Sequence, residues 1–244
     1  MTTMTTVEMN PSRPGGPEMF DRIAKRYDRL NRVLSFGLDR LWRRNLVRSI
    51  APITAGDRIL DLATGTADVA LSVAKAYPEA TVIGLDPSEG MLAIGHTKVA
   101  RAQLNESVEL VVGDARALPF DDDHIAGVTM AFGIRNVPDR DLALREMVRV
   151  TRPGGAVSIL ELAEPTQGPF ASLARAHVHH VVPRIGRIVA GTEAYRYLQE
   201  SIAAFPPAEL FREQMERAGL VDVTATAQTF ATATLYTGRV PLAG

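Results

Sequence analysis

The sequence predicts an α/β fold built on a mostly parallel sheet, and three observations carry that expectation. From Arg58 onward, short apolar runs alternate with helical patterns. The stretch RILDLATGTAD (Arg58–Asp68) reads as a buried strand running into Asp61, a tight turn at Thr64-Gly65-Thr66 and a helix start. A second strand, Thr81–Leu85, ends in Asp86, about twenty residues after that turn.

In chain order, the residues up to Pro17 lack an apolar run and are rich in Thr, Pro and Gly, which predicts a disordered leader and no secretory signal. Met19, Phe20, Ile23, Tyr27, Leu30 and Leu34 recur at helical spacing as far as a break at Ser35-Phe36-Gly37. A second helix over 39–50 carries Leu41, Trp42, Leu46 and Val47, so residues 18–50 form a helical cap. Gly56-Asp57 turns the chain into the first strand. Helix 69–77, strand 81–85, a helix from Pro87 to about Leu104, strands 108–112 and 127–131 and helix 139–150 follow. Pro153-Gly154-Gly155 predicts a sharp turn before strand 156–162. Residues 166–205 break the alternation and read as a helical insertion covering the substrate side of the sheet. Helix 207–218 stops at Gly219, and strands 221–227 and about 230–237 close one domain over 18–244.

Composition narrows the function. The chain has 244 residues, 46% hydrophobic, with a net charge of -1. That is enough for one substantial core and gives no global field to recruit nucleic acid. The absence of cysteine excludes disulfides, thiolate catalysis and cysteine-bound zinc, and suits a cytoplasmic protein. No apolar run approaches the ~20 residues that span a bilayer.

The strand ends supply the candidate site. One glycine in the turn, Gly65, lets backbone N–H groups approach a ligand closely. Ala63 and Ala67 stand where a dinucleotide-binding turn would repeat glycine, which disfavours a pyrophosphate and favours S-adenosylmethionine. Ala67 is expected at negative φ, where a methyl group is tolerated. Asp86 suits ribose hydroxyls, and Asp114, followed by Ala115, suits the adenine amine.

Several segments together resemble the quinone-biosynthesis C-methyltransferase family, which comprises demethylmenaquinone methyltransferase and 2-methoxy-6-polyprenyl-1,4-benzoquinol methylase. They are FDRIAKRYDRLNRVLSFGLDRLWRR (Phe20–Arg44), LDLATGTADVA, LPFDDDHIAGVTMAFGIRNVPDRDLALREMVRVTRPGG and PRIG…YRYLQESI. The resemblance spans about Glu18 to Gly238. It implies a Rossmann-like class I S-adenosylmethionine-dependent methyltransferase with seven strands, the last antiparallel. The implied cofactor residues are Gly65, Thr66, Asp86, Asp114, Ala115 and Ala131. Ala131 replaces a family serine and so lacks its hydroxyl. The implied catalytic residues are Arg135 and Asn136 of FGIRN, together with Tyr27. Arg135 is expected to stabilise a developing quinolate or to polarise a water that removes the proton, Asn136 to hydrogen-bond a quinol oxygen, and Tyr27 to close over the site. A surface ion pair of Arg135 with Asp139 or Asp141 and a core position for Tyr27 are the alternatives.

The substrate is then expected to be a polyprenyl quinol, demethylmenaquinol before the methoxy-benzoquinol, with a non-catalytic cofactor-binding scaffold as the rival. Further expected partners are a second copy of the chain and a membrane surface met by Arg22, Lys25, Arg26, Arg29 and Arg32 on the first helix. In the cluster His177, His179 and His180, the pair His177 and His180 at i, i+3 on a predicted helix finds no firm third ligand in the usual spacing, so no metal is expected and the cluster reads as channel lining or helix surface. Glu161 and Glu164 are candidate bases.

Overall fold

Strand β1 (Arg58–Leu62) is apolar on both faces. Leu60 and Leu62 enter one core layer, and Ile59 enters the other. A strand buried on both sides needs helices on both sides, which is the condition a parallel sheet meets through crossover helices. The computed structural model describes residues 14–35, 37–163 and 192–242 and shows that arrangement.

Helices α1 (Pro17–Leu34) and α2 (Asp39–Ser49) precede β1. Helix α3 (Asp68–Ala76), β2 (Thr81–Asp86), α4 (Glu89–Arg101), β3 (Val108–Val112) and β4 (Ile125–Ala131) follow. Next come α5 (Arg140–Val150), β5 (Thr151–Leu162), α6 (Thr192–Ala203), α7 (Ala208–Arg217), β6 (Val221–Gln228) and β7 (Ala233–Arg239). The seven strands lie in the order β3-β2-β1-β4-β5-β7-β6, and β7 runs antiparallel to both neighbours. The strand order reverses between β1 and β4, so a crevice opens above their carboxyl ends.

Two apolar layers hold the sheet. Trp42, Leu46, Val47, Val69, Val73 and Val99 cover one face. Leu144, Met147, Phe211, Met215 and Tyr236 cover the other. Ser88 caps α4 by accepting from the Met91 N–H, and Asp139 caps α5 by accepting from the Leu142 N–H.

Three differences from the sequence expectations have local causes. The turn expected at 153–155 lies inside β5 as a bulge: Ile125 pairs with Thr151 and Gly127 with Ala156, so β5 has extra residues to absorb, and Gly154 does so at φ 77°. The final strand begins at Ala233, because Thr229–Ala231 form a 3₁₀ turn. Gly15 and Gly16 are buried and Pro17 opens α1, so the last residues of the expected leader pack against the fold, while residues 1–13 lie outside the described residues. Of the expected insertion, α6 lies within the described residues and 164–191 outside them.

Candidate active site

The site grows from the turn after β1. Asp61 ends up buried there, its carboxylate accepting from Thr64 Oγ1 at 2.6 Å and Thr129 Oγ1 at 2.7 Å. The next strand contributes Asp86, whose Oδ2 accepts from the Gly65 N–H and whose Oδ1 accepts from the Ser88 N–H, both at 2.8 Å. One carboxylate therefore ties the turn to the start of α4. Two of its roughly four lone-pair sites remain for a ligand. Burial pushes the pKa of both Asp61 and Asp86 up to about 6, outweighing the hydrogen bonds that hold them down.

Three alternate residues of the turn are left-handed: Ala63 at φ 48°, Gly65 at 57° and Ala67 at 64°. The expectation of negative φ at Ala67 is thus overturned. Such a conformation costs an alanine about 1–2 kcal/mol, and glycines opposite make room for the methyl groups. A Cβ on Gly95 would lie 3.3 Å from the Ala67 methyl, and one on Gly133 would lie 2.6 Å from that of Ala63. Above Gly65 the space is open, since a Cβ there would meet only Ala63 O and Tyr27 Cε1 at 4.0 Å.

Helix α1 roofs this space and is fastened at two points two turns apart. Asp21 accepts from Ser88 Oγ and the Gly90 N–H at 2.5 and 2.9 Å. Asp28 accepts from Thr66 Oγ1 at 2.5 Å and pairs with Lys98, which also donates to Asp68 and Thr66. The hydroxyl of Thr66, an expected cofactor contact, is thereby committed to the roof.

The partly open cleft beneath it spans about 800 Å³, open solvent included, and Tyr27, Gly65, Asp86, Asp114, Ala115 and Asn136 are among its walls. Asp114 is gripped by Arg116 through Nε and Nη2, at 3.1 and 2.7 Å from Oδ1 and Oδ2. A smaller recess of about 290 Å³ adjoins it, bounded by Tyr27, Arg43, Asp61, Thr66 and Ala131. The structure therefore brings eight of the nine expected site residues to these two cavities.

Arg135 is the exception. Among the described residues the cleft wall includes Gly133, Asn136 and Val137 but not Arg135. Its Nη1 donates to Glu161 Oε1 at 2.7 Å and to Phe132 O at 2.6 Å, and its Nε reaches Ser201 Oγ at 3.4 Å. Both charged side chains are almost wholly buried. Burial works against the guanidinium, yet the Glu161 carboxylate outweighs it and raises its pKa. Arg135 makes no surface pair with Asp139 or Asp141 among the described residues; its Nη1 is committed to Glu161 and Phe132 O, and it pins the loop that presents Asn136. Glu161, the candidate base, is the partner of that cation. Asn136 Oδ1 accepts from Tyr197 Oη at 2.8 Å, so α6 grips both residues of this turn through Tyr197 and Ser201. Glu164, His177, His179 and His180 lie outside the described residues.

Sequence reasoning missed Asp21, Asp28, Lys98, Arg43 and Tyr197. Asp21 and Asp28 did carry a signal: two acids seven residues apart share a face of an otherwise basic helix. Lys98 and Tyr197 meet their partners only through the tertiary fold.

A family model described as the ubiE/COQ5 methyltransferase family matches residues 9–239. A Geobacter sulfurreducens relative named ubiquinone/menaquinone biosynthesis C-methyltransferase UbiE is 45% identical, the match covering 91% of this chain and 87% of that protein. A Thermus thermophilus demethylmenaquinone methyltransferase is 44% identical over 91% of this chain and all of its own length. Among solved structures, a Haemonchus contortus phosphoethanolamine N-methyltransferase 2 bound to S-adenosyl-L-methionine superposes with a TM-score of 0.62 at 16% identity, covering 82% of this chain and 52% of that one. The cyclase SpnF superposes at 0.67 and 18% identity, covering 97% and 100%. These structural likenesses concern the fold alone.

Two predictions follow from the buried charges. Removing the guanidinium leaves Glu161 charged, buried and unpaired. Arg135→Ala should therefore lower the unfolding free energy by about 3–5 kcal/mol, whereas the double change Arg135→Met with Glu161→Leu should recover most of it. Urea unfolding decides, and a loss below about 1 kcal/mol in the single variant would place Arg135 outside the structural frame.

Asp61 and Asp86 titrate near 6 when folded and near 3.8 when unfolded. The folded state thus binds more protons between those values, and stability rises as pH falls through 6. The ligand-free protein should be more stable at pH 5.5 than at pH 7.5 by about 1 kcal/mol. Urea midpoints at the two pH values test this, and a lower midpoint at pH 5.5 contradicts it.

Proposed function

The chain belongs to the ubiE/COQ5 methyltransferase family, and we propose that it methylates a ring carbon of a polyprenyl quinol, demethylmenaquinol giving menaquinol, with S-adenosylmethionine as cofactor. What supports this reading is that three polar groups suited to a nucleoside and to a quinol, Asp86, Asp114 and Asn136, line one cleft in a chain 44% identical to a demethylmenaquinone methyltransferase. Relatives named for both ubiquinone and menaquinone biosynthesis support the benzoquinol as a second substrate.

The residues fit the cofactor. The cleft floor offers a buried carboxylate with free lone pairs, and the glycine turn leaves space that a Cβ would occupy. Asp86 would hold the ribose hydroxyls, and Asp114, with the Ala115 backbone, the adenine edge. When bound, S-adenosylmethionine supplies an electrophilic sulfonium methyl group. The chain's part is to bind, orient and exclude water. Asn136 is placed to hydrogen-bond a quinol oxygen, Tyr27 covers the turn between cleft and recess, and α1 shuts the roof through Asp21 and Asp28. The ring carbon becomes nucleophilic once a neighbouring hydroxyl loses its proton, so the reduced quinol and not the quinone is the substrate. Arg135 acts by holding the Phe132–Asn136 loop.

Anaerobic methyl-transfer assays with demethylmenaquinol and the methoxy-benzoquinol, each with and without reductant, test the reading. Product should form only with the reduced ring and faster with the naphthoquinol. Asp86→Ala should lower S-adenosylhomocysteine affinity at least about tenfold, as expected for losing hydrogen bonds to a charged acceptor. Equal rates with quinone and quinol, or unchanged affinity in a folded Asp86→Ala protein, contradict it.

We also propose that the cap rests on an anionic membrane that carries the substrate. The first 50 residues hold ten of the 27 Lys and Arg and five of the 28 Asp and Glu, a net +5 against -6 for the remainder. Arg22, Lys25, Arg26, Arg29 and Arg32 on α1 and Arg40, Arg44 and Arg48 on α2 are exposed. Met19 and Ala24 are buried and Phe20 lines the cleft, so the contact is electrostatic rather than an apolar insertion. Among the described residues no helix is long and apolar enough to cross a membrane. Sedimentation with vesicles should show binding to anionic but not zwitterionic lipid, lost at 0.5 M salt (roughly a fourfold-shorter screening range than at low ionic strength). Equal binding to both lipids removes the proposal.

A further inference from the structure

Asn136 lines the cleft with an amide that can serve a ring oxygen in two opposite ways. Its Oδ1 can accept from a quinol hydroxyl, or its Nδ2 can donate to the oxyanion left when that hydroxyl ionises. The two ends have nearly the same shape, so the neighbours decide which one a ligand meets.

Those neighbours agree. Tyr197 Oη donates to Asn136 Oδ1 at 2.8 Å. At the other end Nδ2 lies 3.4 Å from Phe132 O, which is an acceptor only. Turning the amide over would set its oxygen against that carbonyl. Among the described residues, Phe132 and Asn136 belong to the cleft wall and Tyr197 does not. The amide oxygen is therefore turned behind the wall toward α6, and the NH₂ group stays on the cleft side. That group carries two hydrogens, of which Phe132 O takes at most one.

The phenol is held in its turn. Gly15, buried ahead of α1, lies so close to it that a Cβ there would stand 1.9 Å from Tyr197 Oη. The Arg135 cation is within electrostatic reach of the same phenol. A cation draws the hydroxyl oxygen toward itself and turns the hydrogen away, which suits donation to Asn136.

We propose that Tyr197 is a positioning residue that sets the polarity of Asn136, holding its amide so that it donates an N–H to the ring oxyanion of the substrate. This rests on the reading of the cleft as a quinol site. A donor cannot take a proton, so Asn136 stabilises the quinolate and is not the base. Its contribution grows as charge develops on the ring oxygen, so it appears in turnover rather than in ground-state binding.

Anaerobic steady-state kinetics with demethylmenaquinol test both the polarity and the route. Asn136→Asp keeps the shape and puts an acceptor where the donor was. Its kcat should fall at least as far as that of Asn136→Ala, about a hundredfold. Near-normal or raised turnover in Asn136→Asp overturns the proposal, because the position would then serve as an acceptor. Tyr197→Phe removes one hydroxyl. It should lower kcat about tenfold while the KM for the quinol and the calorimetric affinity for S-adenosylhomocysteine stay within about twofold. In the Asn136→Ala background the same change should cost nothing further in kcat, a non-additivity that a merely structural role for Tyr197 does not produce. Unchanged kcat in Tyr197→Phe, or an equal loss in both backgrounds, overturns the proposal. If the wild-type protein methylates neither quinol, the reading of the cleft fails first, an outcome distinct from all of these.

Discussion

The Asp86 carboxylate is the joint on which the site depends. It receives one backbone N–H from the turn after β1 and one from the start of α4, so two loops that leave neighbouring strands are fixed to each other. A neutral side chain of that shape could not accept both donors with equal strength, since hydrogen bonds to an ionised acceptor are roughly twice as strong. The same carboxylate is costly to bury, and its pKa near 6 records that cost. A protein gains from such a strained charge only if something else uses it, and the open lone pairs facing the cleft are where a diol would bind.

A second buried charge frames the opposite wall. Glu161, fully buried on β5, accepts from Arg135 N, Arg135 Nη1 and the Leu162 N–H. It thereby locks the 134–136 turn against the sheet. Replacing a buried pair by apolar residues is often neutral for stability, so a pair of this kind is best understood as specifying one geometry. The geometry specified here is the position of Asn136, held from the other side by Tyr197.

What the sequence made legible follows from the range of the interactions. The strands showed through because short continuous apolar runs and strand-end acids are local patterns, and Asp61, Asp86 and Asp114 all lie where those patterns put them. The side-chain direction of Arg135 was not legible, because its partner Glu161 sits 26 residues downstream on another element. Nor was the left-handed backbone of Ala67, which is tolerated because residue 95 of α4 lacks a side chain just where the methyl group lies. In both cases the sequence rule was sound locally, and a distant residue changed the balance.

The cap shows how one helix meets two demands. The cleft is partly open to solvent, so a chain attached to a ring bound there has a way out. On the proposed reading the ring enters and the prenyl tail stays outside. Helix α1 turns Phe20 and Tyr27 toward the cleft and its arginines outward, so the same eighteen residues form the wall of the site and the proposed membrane-facing surface. Its side-chain fastenings are polar, Asp21 to Ser88 and Asp28 to Lys98, and lie beside the buried Met19 and Ala24. Polar fastenings can exchange with water at modest cost, whereas an apolar seam would have to expose its whole area to open.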